Sequence, residues 1–143
     1  MNNENKIKLF LVDDDALFLK TLEIEFMQQA DFAIETFATG ELCLQQLPNN
    51  NPDVIVLDYQ LNGMDKKAMN GLETLDKIKY FDSDIPVVML SSQDNIDVAV
   101  NCMQHRAFDY IVKSETAFIH LAKTISSIFS YRTIEYDLKR YMK

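Results

Sequence analysis

The sequence predicts one α/β domain built on a parallel β-sheet with helices on both faces. Continuous apolar runs rich in branched residues alternate along the chain with segments whose apolar residues recur at helical spacing. Such runs are typical of strands buried on both faces, and regular alternation with helices implies βαβ units with right-handed crossovers. The length of 143 residues is that of one ordinary domain.

The strands are predicted first. The three most apolar runs end abruptly at polar residues and cover Ile7 to Val12, Val54 to Leu57, and Val87 to Leu90. Two weaker candidates are Phe32 to Phe37, which alternates in part, and Phe108 to Val112. These segments together predict a sheet of five strands.

Helical spacing fills the segments after each strand. The predicted helices are Ala16 to Phe26, Leu42 to Leu47, Leu72 to Ile78, Ile96 to Met103, and a last one from about Ala117 onward. Asp15 directly precedes the first of them and is predicted to be its N-cap rather than a metal ligand.

The apolar stripe of the last helix continues almost to the end of the chain. Its members are spaced by three or four residues: Leu121, Ile125, Ile128, Tyr131, Ile134, Leu138 and Tyr141. A stripe that outlasts the domain core has nothing left in the chain to cover it. We therefore predict that residues 129–143 form a helical extension, used for self-association as a homodimer or for connection to an output domain. A frayed tail is the alternative.

Charge and composition exclude several classes of function. The net charge of −8 argues against attraction to nucleic acids or anionic membranes. Cys43 and Cys102 form no CxxC pair and fall in predicted helices, so we expect reduced thiols in the core. The first residues contain no signal peptide, and no later run approaches the roughly 18 apolar residues of a membrane span. These features predict a soluble, cytoplasmic protein.

Polar side chains of complementary chemistry follow the predicted strands. Asp13 and Asp14 follow the first strand, Asp58 ends the third, Ser91 follows the fourth, and Lys113 follows the fifth. Each of these residues alone would be an ordinary turn, cap or surface residue. Because the carboxyl ends of parallel strands meet at one edge of the sheet, where ligands bind, we expect the five to form one site.

The residue types at this edge suit phosphoryl transfer. The carboxylates of Asp13, Asp14 and Asp58 would repel one another unless a cation compensates, and Mg²⁺ prefers such oxygen ligands. Lys113 would supply a second positive charge, and Ser91 would donate a hydrogen bond to a phosphoryl oxygen. Asp58 is then the natural nucleophile.

Five ordered motifs carry a resemblance to a known family. They are LFLVDDD at 9–15, PDVIVLDYQL at 52–61, MNGLETLDKIK at 69–79, IPVVMLSS at 85–92 and AFDYIVKS at 107–114. Over residues 6–128 the chain resembles the receiver, or phosphoacceptor, domains of bacterial two-component response regulators, chemotaxis regulators among them. The resemblance implies a flavodoxin-like, doubly wound sheet of order 2-1-3-4-5 with five helices.

The resemblance also implies a role for each site residue. Asp58 would accept the phosphoryl group from a sensor histidine kinase or a phosphotransfer protein. Asp14 and Asp58 would bind Mg²⁺ directly, Asp13 would bind it through water, and the backbone carbonyl of Gln60 would complete the protein ligands.

Two further residues would transmit the signal. Ser91 matches the switch hydroxyl of the family and Tyr110 its switch aromatic, which turns inward when Ser91 moves toward the phosphate; Lys113 matches the family's lysine. The domain would regulate an output domain or effector protein. It would catalyse only its own phosphorylation and dephosphorylation.

The sequence departs from the family pattern at three places. Ser114 stands where Pro usually follows the lysine, and Asn62 replaces another common Pro. The stretch around Asn62 to Asn70 is about five residues longer than usual and looks like an insertion beside the site. Arg106 replaces a common Gly, which matters little unless that position needs a positive φ.

Two other functions compete with the receiver interpretation. A Mg²⁺-dependent phosphohydrolase of the haloacid dehalogenase type needs a second Asp two residues after the nucleophile, where Gln60 stands. A receiver-like module that binds partners without phosphorylation would not need the complete set of charged residues that this chain carries.

Overall fold

The architecture is a five-stranded parallel sheet with helices on both faces. The computed structural model describes residues 6–29 and 31–141, and it describes side chains for residues 6–29 and 31–130. Strands and helices alternate in the order β1 Ile7–Val12, α1 Ala16–Met27, β2 Phe32–Phe37, α2 Gly40–Asn50, β3 Val54–Asp58, α3 Gly71–Phe81, β4 Val87–Ser91, α4 Ile96–Gln104, β5 Asp109–Val112 and α5 Ala117–Tyr141. All strand pairs are parallel, in the order β2-β1-β3-β4-β5. The predicted fold class and strand order are confirmed.

The sheet separates two apolar cores. On one face, α1 and α5 pack against the sheet through buried residues that include Leu22, Phe26 and Leu121. On the other face, α2, α3 and α4 contribute a second set of buried side chains, including the free thiols of Cys43 and Cys102. Because β3 and β4 are covered on both faces, all of their residues are buried, which explains their continuous apolar sequences.

Side-chain caps fix where two site-bordering helices begin. Asp15 is the N-cap of α1, as predicted, and its carboxylate accepts hydrogen bonds from the amides of Leu17 and Phe18. Asn70 and Glu73 form a capping box at the start of α3. These caps define the ends of the loops that follow β1 and β3.

Arg106 has a strained backbone conformation. It follows α4 and adopts a φ of 72°, a left-handed conformation that glycine adopts without strain and other residues adopt at a cost of about 1 kcal/mol. Position 106 therefore does need a positive φ, which is the condition under which the replacement of the common Gly by Arg matters.

The last helix is the longest of the described helices, with 25 residues. Leu121, Ile125 and Ile128 are buried against the sheet. The predicted stripe continues through Tyr131, Ile134, Leu138 and Tyr141, whose side chains lie outside the described residues. Among the helices that the structure describes, none combines the length and the apolar character that crossing a bilayer requires.

Candidate functional site

Strand register brings the predicted site residues together. The strand order reverses between β1 and β3, so the crevice for a ligand lies beyond the carboxyl ends of these two strands. Val12 pairs with Leu57 across the two strands, which places Asp13 beside Asp58. Ser91 pairs with Val112, the residue before Lys113. Residues far apart in the chain therefore converge because they occupy equivalent strand ends.

Three carboxylates form the centre of the site. Asp13 and Asp58 are only 2% and 3% exposed, while Asp14 is half-buried. One oxygen from each of the three carboxylates lies within 4.8 Å of the others. Such an all-oxygen set fits a hard divalent cation after small side-chain rotations, because octahedral Mg²⁺ binds oxygens at about 2.1 Å.

The Gln60 carbonyl oxygen and the Asp14 carboxylate both lie close to Gly63. An ideal Cβ position built on Gly63 lies 3.3 Å from Asp14 Oδ2 and 3.9 Å from the Gln60 carbonyl oxygen. The two oxygens therefore border one small region next to the carboxylates. This arrangement fits Gln60 to the role of a backbone ligand.

Lys113 neutralises part of the acidic cluster. Its Nζ lies 2.9 Å from Asp13 Oδ2 and 3.4 Å from Asp58 Oδ1, and the side chain is 17% exposed. Burial lowers the pKa of Lys113, but the hydrogen bond and charge of Asp13, together with Asp58, outweigh it and raise the pKa above the usual value. The ammonium also lies 4.5 Å from the centre of the Phe18 ring, a cation–π contact that supports its orientation.

Asp58 is a buried acid whose pKa is raised. Burial raises its pKa to about 7, and the neighbouring Asp13 carboxylate adds to the rise, against the opposing effects of Lys113 and of the Gln60 amide. The Gln60 N–H donates to Asp58 Oδ1 at 3.3 Å. Without a cation, burial and the Asp13 carboxylate therefore favour the protonated form of Asp58 more than in an exposed aspartate.

Ser91 and Tyr110 are connected through one loop residue. The fully buried Ser91 accepts a hydrogen bond at its Oγ from the Gln93 amide at 3.0 Å. The Tyr110 hydroxyl donates to the Gln93 carbonyl, and its ring is packed against the core on the α4 side. The two predicted switch residues thus contact the backbone of the same residue, on its amide side and its carbonyl side, in the loop between β4 and α4.

Some residues at the site were not predicted from the sequence. Gln93 and Phe18 belong to no recognisable motif. Gln93 contacts Ser91 and Tyr110 because of the loop conformation, and Phe18 lies beside Lys113 because of the position of α1. Met64 of the inserted stretch donates its amide to Asp14 Oδ2, and Glu41 of α2 accepts a hydrogen bond from the same stretch. The unusual length of the inserted stretch is the one feature of the sequence that indicated contacts of this stretch with the site.

A family model and curated relatives are similar to this chain over most of its length. The family model described as response regulator receiver domain matches residues 9–125 of the chain. A protein-glutamate methylesterase/protein-glutamine glutaminase from Rhodopseudomonas palustris is 38% identical over 114 residues, which cover 78% of this chain and 30% of that protein. The DNA-binding transcriptional regulator NtrC of Klebsiella pneumoniae is 34% identical over 104 residues, covering 73% of this chain and 21% of that protein. The chain thus spans a third or less of these curated relatives.

Solved structures show the same fold. The signal receiver domain of a LuxO repressor protein from Vibrio parahaemolyticus superposes with a TM-score of 0.79 at 22% identity, covering 93% of this chain and 97% of that one. A CheX-CheY-BeF3-Mg complex from Borrelia burgdorferi gives a TM-score of 0.75 at 26% identity, with coverage of 86% and 89%.

Proposed function

Because the chain belongs to the response regulator receiver domain family, which serves phosphorylation-dependent signalling, we propose that Asp58 is its phosphoacceptor. The phosphoryl donor is a phosphohistidine on a sensor histidine kinase or phosphotransfer protein. The observation that carries this assignment is the position of Asp58, which lies buried at the strand-order reversal beside a second carboxylate, with the Lys113 ammonium in contact with both.

The proposed reaction uses the site residues in distinct roles. An ionised Asp58 oxygen attacks phosphorus, and the bond from phosphorus to the donor imidazole nitrogen breaks as that nitrogen leaves. Lys113 neutralises charge on the phosphoryl oxygens, and the Ser91 hydroxyl donates to one of them. Asp14, Asp58 and the Gln60 carbonyl would hold Mg²⁺ directly and Asp13 would hold it through water, and the ion would supply further charge neutralisation when bound. Support for the metal comes from the all-oxygen cluster and from the Mg-containing neighbour structure.

The switch is proposed to run through Gln93. Movement of Ser91 toward a phosphoryl group would withdraw its Oγ from the Gln93 amide, and Tyr110 is bonded to the carbonyl of the same residue. A change at Asp58 would then remodel the surface of α4, β5 and α5, because the two states differ in these contacts.

The chain itself is proposed to be regulatory rather than an enzyme with an external substrate. Gln60 occupies the position where a phosphohydrolase of the dehalogenase type needs an acidic residue, so catalysis would be limited to its own phosphorylation and dephosphorylation. A phosphorylation-independent module remains the alternative, against which the complete charged cluster argues.

Output is proposed to reside in an effector protein or an attached domain, in the cytoplasm. The curated relatives are much longer than this chain, which supports a linked output domain. The net charge of −8 disfavours direct binding of nucleic acid by this chain. We propose that residues 129–143 provide self-association or the connection to the output. Sedimentation of the full chain and of a version that ends at Ser130 would test this, since equal monomer masses at high concentration would remove self-association.

Intact-mass measurement tests the phosphoacceptor directly. The protein is incubated with Mg²⁺ and either acetyl phosphate or phosphoramidate, and we expect a gain of one phosphoryl group that requires the metal. Asp58→Asn should abolish the gain, while Asp97→Asn, at an exposed position in the first turn of α4, should retain it. Undiminished labelling of the Asp58 variant would refute the assignment.

A further inference from the structure

We propose that the inserted loop is a positioning device for the metal ligand Asp14, and that Glu41 of α2 is the residue that holds the loop in place. The loop here means residues 62–70, between β3 and α3. The inference rests on the proposed function, because it takes Asp14 to be a ligand of the divalent cation.

Asp14 needs to be held because the site repels it. Lys113 forms ion pairs with Asp13 and Asp58, and among the described residues it forms none with Asp14. Asp14 is also the most exposed of the three carboxylates, and rotation toward water would relieve its repulsion by the other two. The Met64 amide opposes this rotation by donating to Asp14 Oδ2 at 3.1 Å.

The loop approaches Asp14 closely enough that its sequence matters. An ideal Cβ on Gly63 would lie 3.3 Å from Asp14 Oδ2, which is tighter than ordinary van der Waals contact, and 3.9 Å from the Gln60 carbonyl oxygen. Gly63 has no positive φ, so its backbone conformation does not favour glycine. A methyl group at this position would require Asp14 Oδ2 to shift by a few tenths of an ångström.

Glu41 fixes the other end of the loop. Its Oε2 accepts a hydrogen bond from the Met69 amide at 3.0 Å, and its Oε1 is buried with no hydrogen-bond partner among the described residues. The Met69 amide is therefore the contact that orients this carboxylate. Glu41 lies in the first turn of α2, a rigid element that packs against α3 through the close contact of Gly40 with Thr74.

The loop is compact enough to transmit this restraint. Asp65 accepts hydrogen bonds from the Lys67 amide at its carboxylate and from the Ala68 amide at its carbonyl, both at 3.0 Å. These bonds close a turn between Met64 and Met69. Loss of the bond to Glu41 would let the turn move as a unit and withdraw the Met64 amide from Asp14.

The expected effect is a weaker metal site in an otherwise intact domain. Removal of a group that orients a metal ligand typically lowers affinity about 10- to 100-fold, and Glu41 acts one contact further away, so we expect about a three- to tenfold rise in the Mg²⁺ dissociation constant for Glu41→Ala. Because Glu41→Gln keeps an oxygen that can accept from the Met69 amide, it should restore most of the affinity. Gly63→Ala should weaken Mg²⁺ binding without disturbing the contact to Glu41.

Calorimetric Mg²⁺ titration of the full chain tests the proposal, with amide exchange of Met64 and Met69 measured in EDTA. Asp97→Ala is the matched control, since it also removes an acidic residue from the first turn of a helix. We expect faster exchange at both amides in Glu41→Ala, with thermal unfolding close to that of the wild type.

The outcomes separate this proposal from the one on which it rests. Failure of the wild type to bind Mg²⁺, or unchanged binding in Asp14→Ala, would overturn the proposed metal site. Normal binding by the wild type and loss in Asp14→Ala, with Glu41→Ala and Gly63→Ala both equal to the wild type, would overturn only the positioning role of the loop.

Discussion

The buried Asp58 carboxyl should make the metal-free protein less stable as the pH rises. Burial raises its pKa from an ordinary 3.8 to about 7, so between these values the folded protein binds a proton that the unfolded chain has released. Stability must fall with increasing pH wherever the folded state binds more protons. The contribution of this group is therefore greatest below pH 4 and is lost as the pH rises through 7. Asp58→Asn, which cannot ionise, should remove that slope.

The size of the effect follows from the two pKa values. Between pH 5 and pH 8 the unfolded carboxyl is ionised throughout, whereas the folded one loses its proton only near the upper end of the interval. At about 1.4 kcal/mol per pH unit, the wild type should lose about 2–3 kcal/mol of unfolding free energy relative to Asp58→Asn over this range. Mg²⁺ should reduce the loss at pH 8, because binding to the folded state adds stability.

Urea unfolding at pH 5 and pH 8, in EDTA and in excess Mg²⁺, measures this difference. The comparison of the two proteins cancels the titrating groups that lie away from Asp58, while Asp13 and Lys113 feel its charge and contribute to the measured difference. Parallel pH profiles for the wild type and Asp58→Asn in EDTA would show that the buried carboxyl is not the origin of the slope.

Three substitutions test the local structure after α4 and at the start of α3, with urea unfolding as the measurement for each. Arg106→Gly should stabilise the protein by about 0.5–1 kcal/mol, because glycine adopts the φ of 72° without strain, and any destabilisation would contradict this. Asn70→Ala should cost about 1 kcal/mol through loss of the capping box on α3, with no loss if the cap is unimportant. Gly71→Ala should cost about 2 kcal/mol or more, because the new Cβ meets the backbone of Asp58 and Tyr59, and wild-type stability would show that this contact relaxes freely.

The sequence predicted the elements with strong local signals. The strands β3 and β4 are covered on both faces, so their continuous apolar residues identified them, and the abrupt change to Asp58 and Ser91 marked their ends. Asp15 was predicted as a cap because a short acidic side chain directly before a helical pattern can accept hydrogen bonds from the free amides of the first turn. The strand order came from the family resemblance, since apolar periodicity does not specify which strands are neighbours.

Contacts that depend on loop geometry were beyond prediction from sequence. Gln93 serves both Ser91 and Tyr110 through its backbone, which leaves no mark on residue type. The bond from Met69 to Glu41 joins an insertion to a helix 28 positions away, and the amide donor is again a backbone group. The one sign in the sequence of the positive φ at Arg106 is that related domains commonly have a glycine at this position.

The closure of the inserted loop has a consequence for how receivers diversify. The Gly71 amide donates to the Tyr59 carbonyl at 3.0 Å, so the chain returns to the strand end from which the loop departs. The two ends of the loop are thus held together, and the loop can change in length without changing the distance between the end of β3 and the start of α3. Loop-closure entropy grows only logarithmically with length, so an insertion of about five residues costs roughly 0.5 kcal/mol. New contacts beside Asp58 can therefore be acquired by lengthening this segment, while the sheet that positions the site residues keeps its geometry.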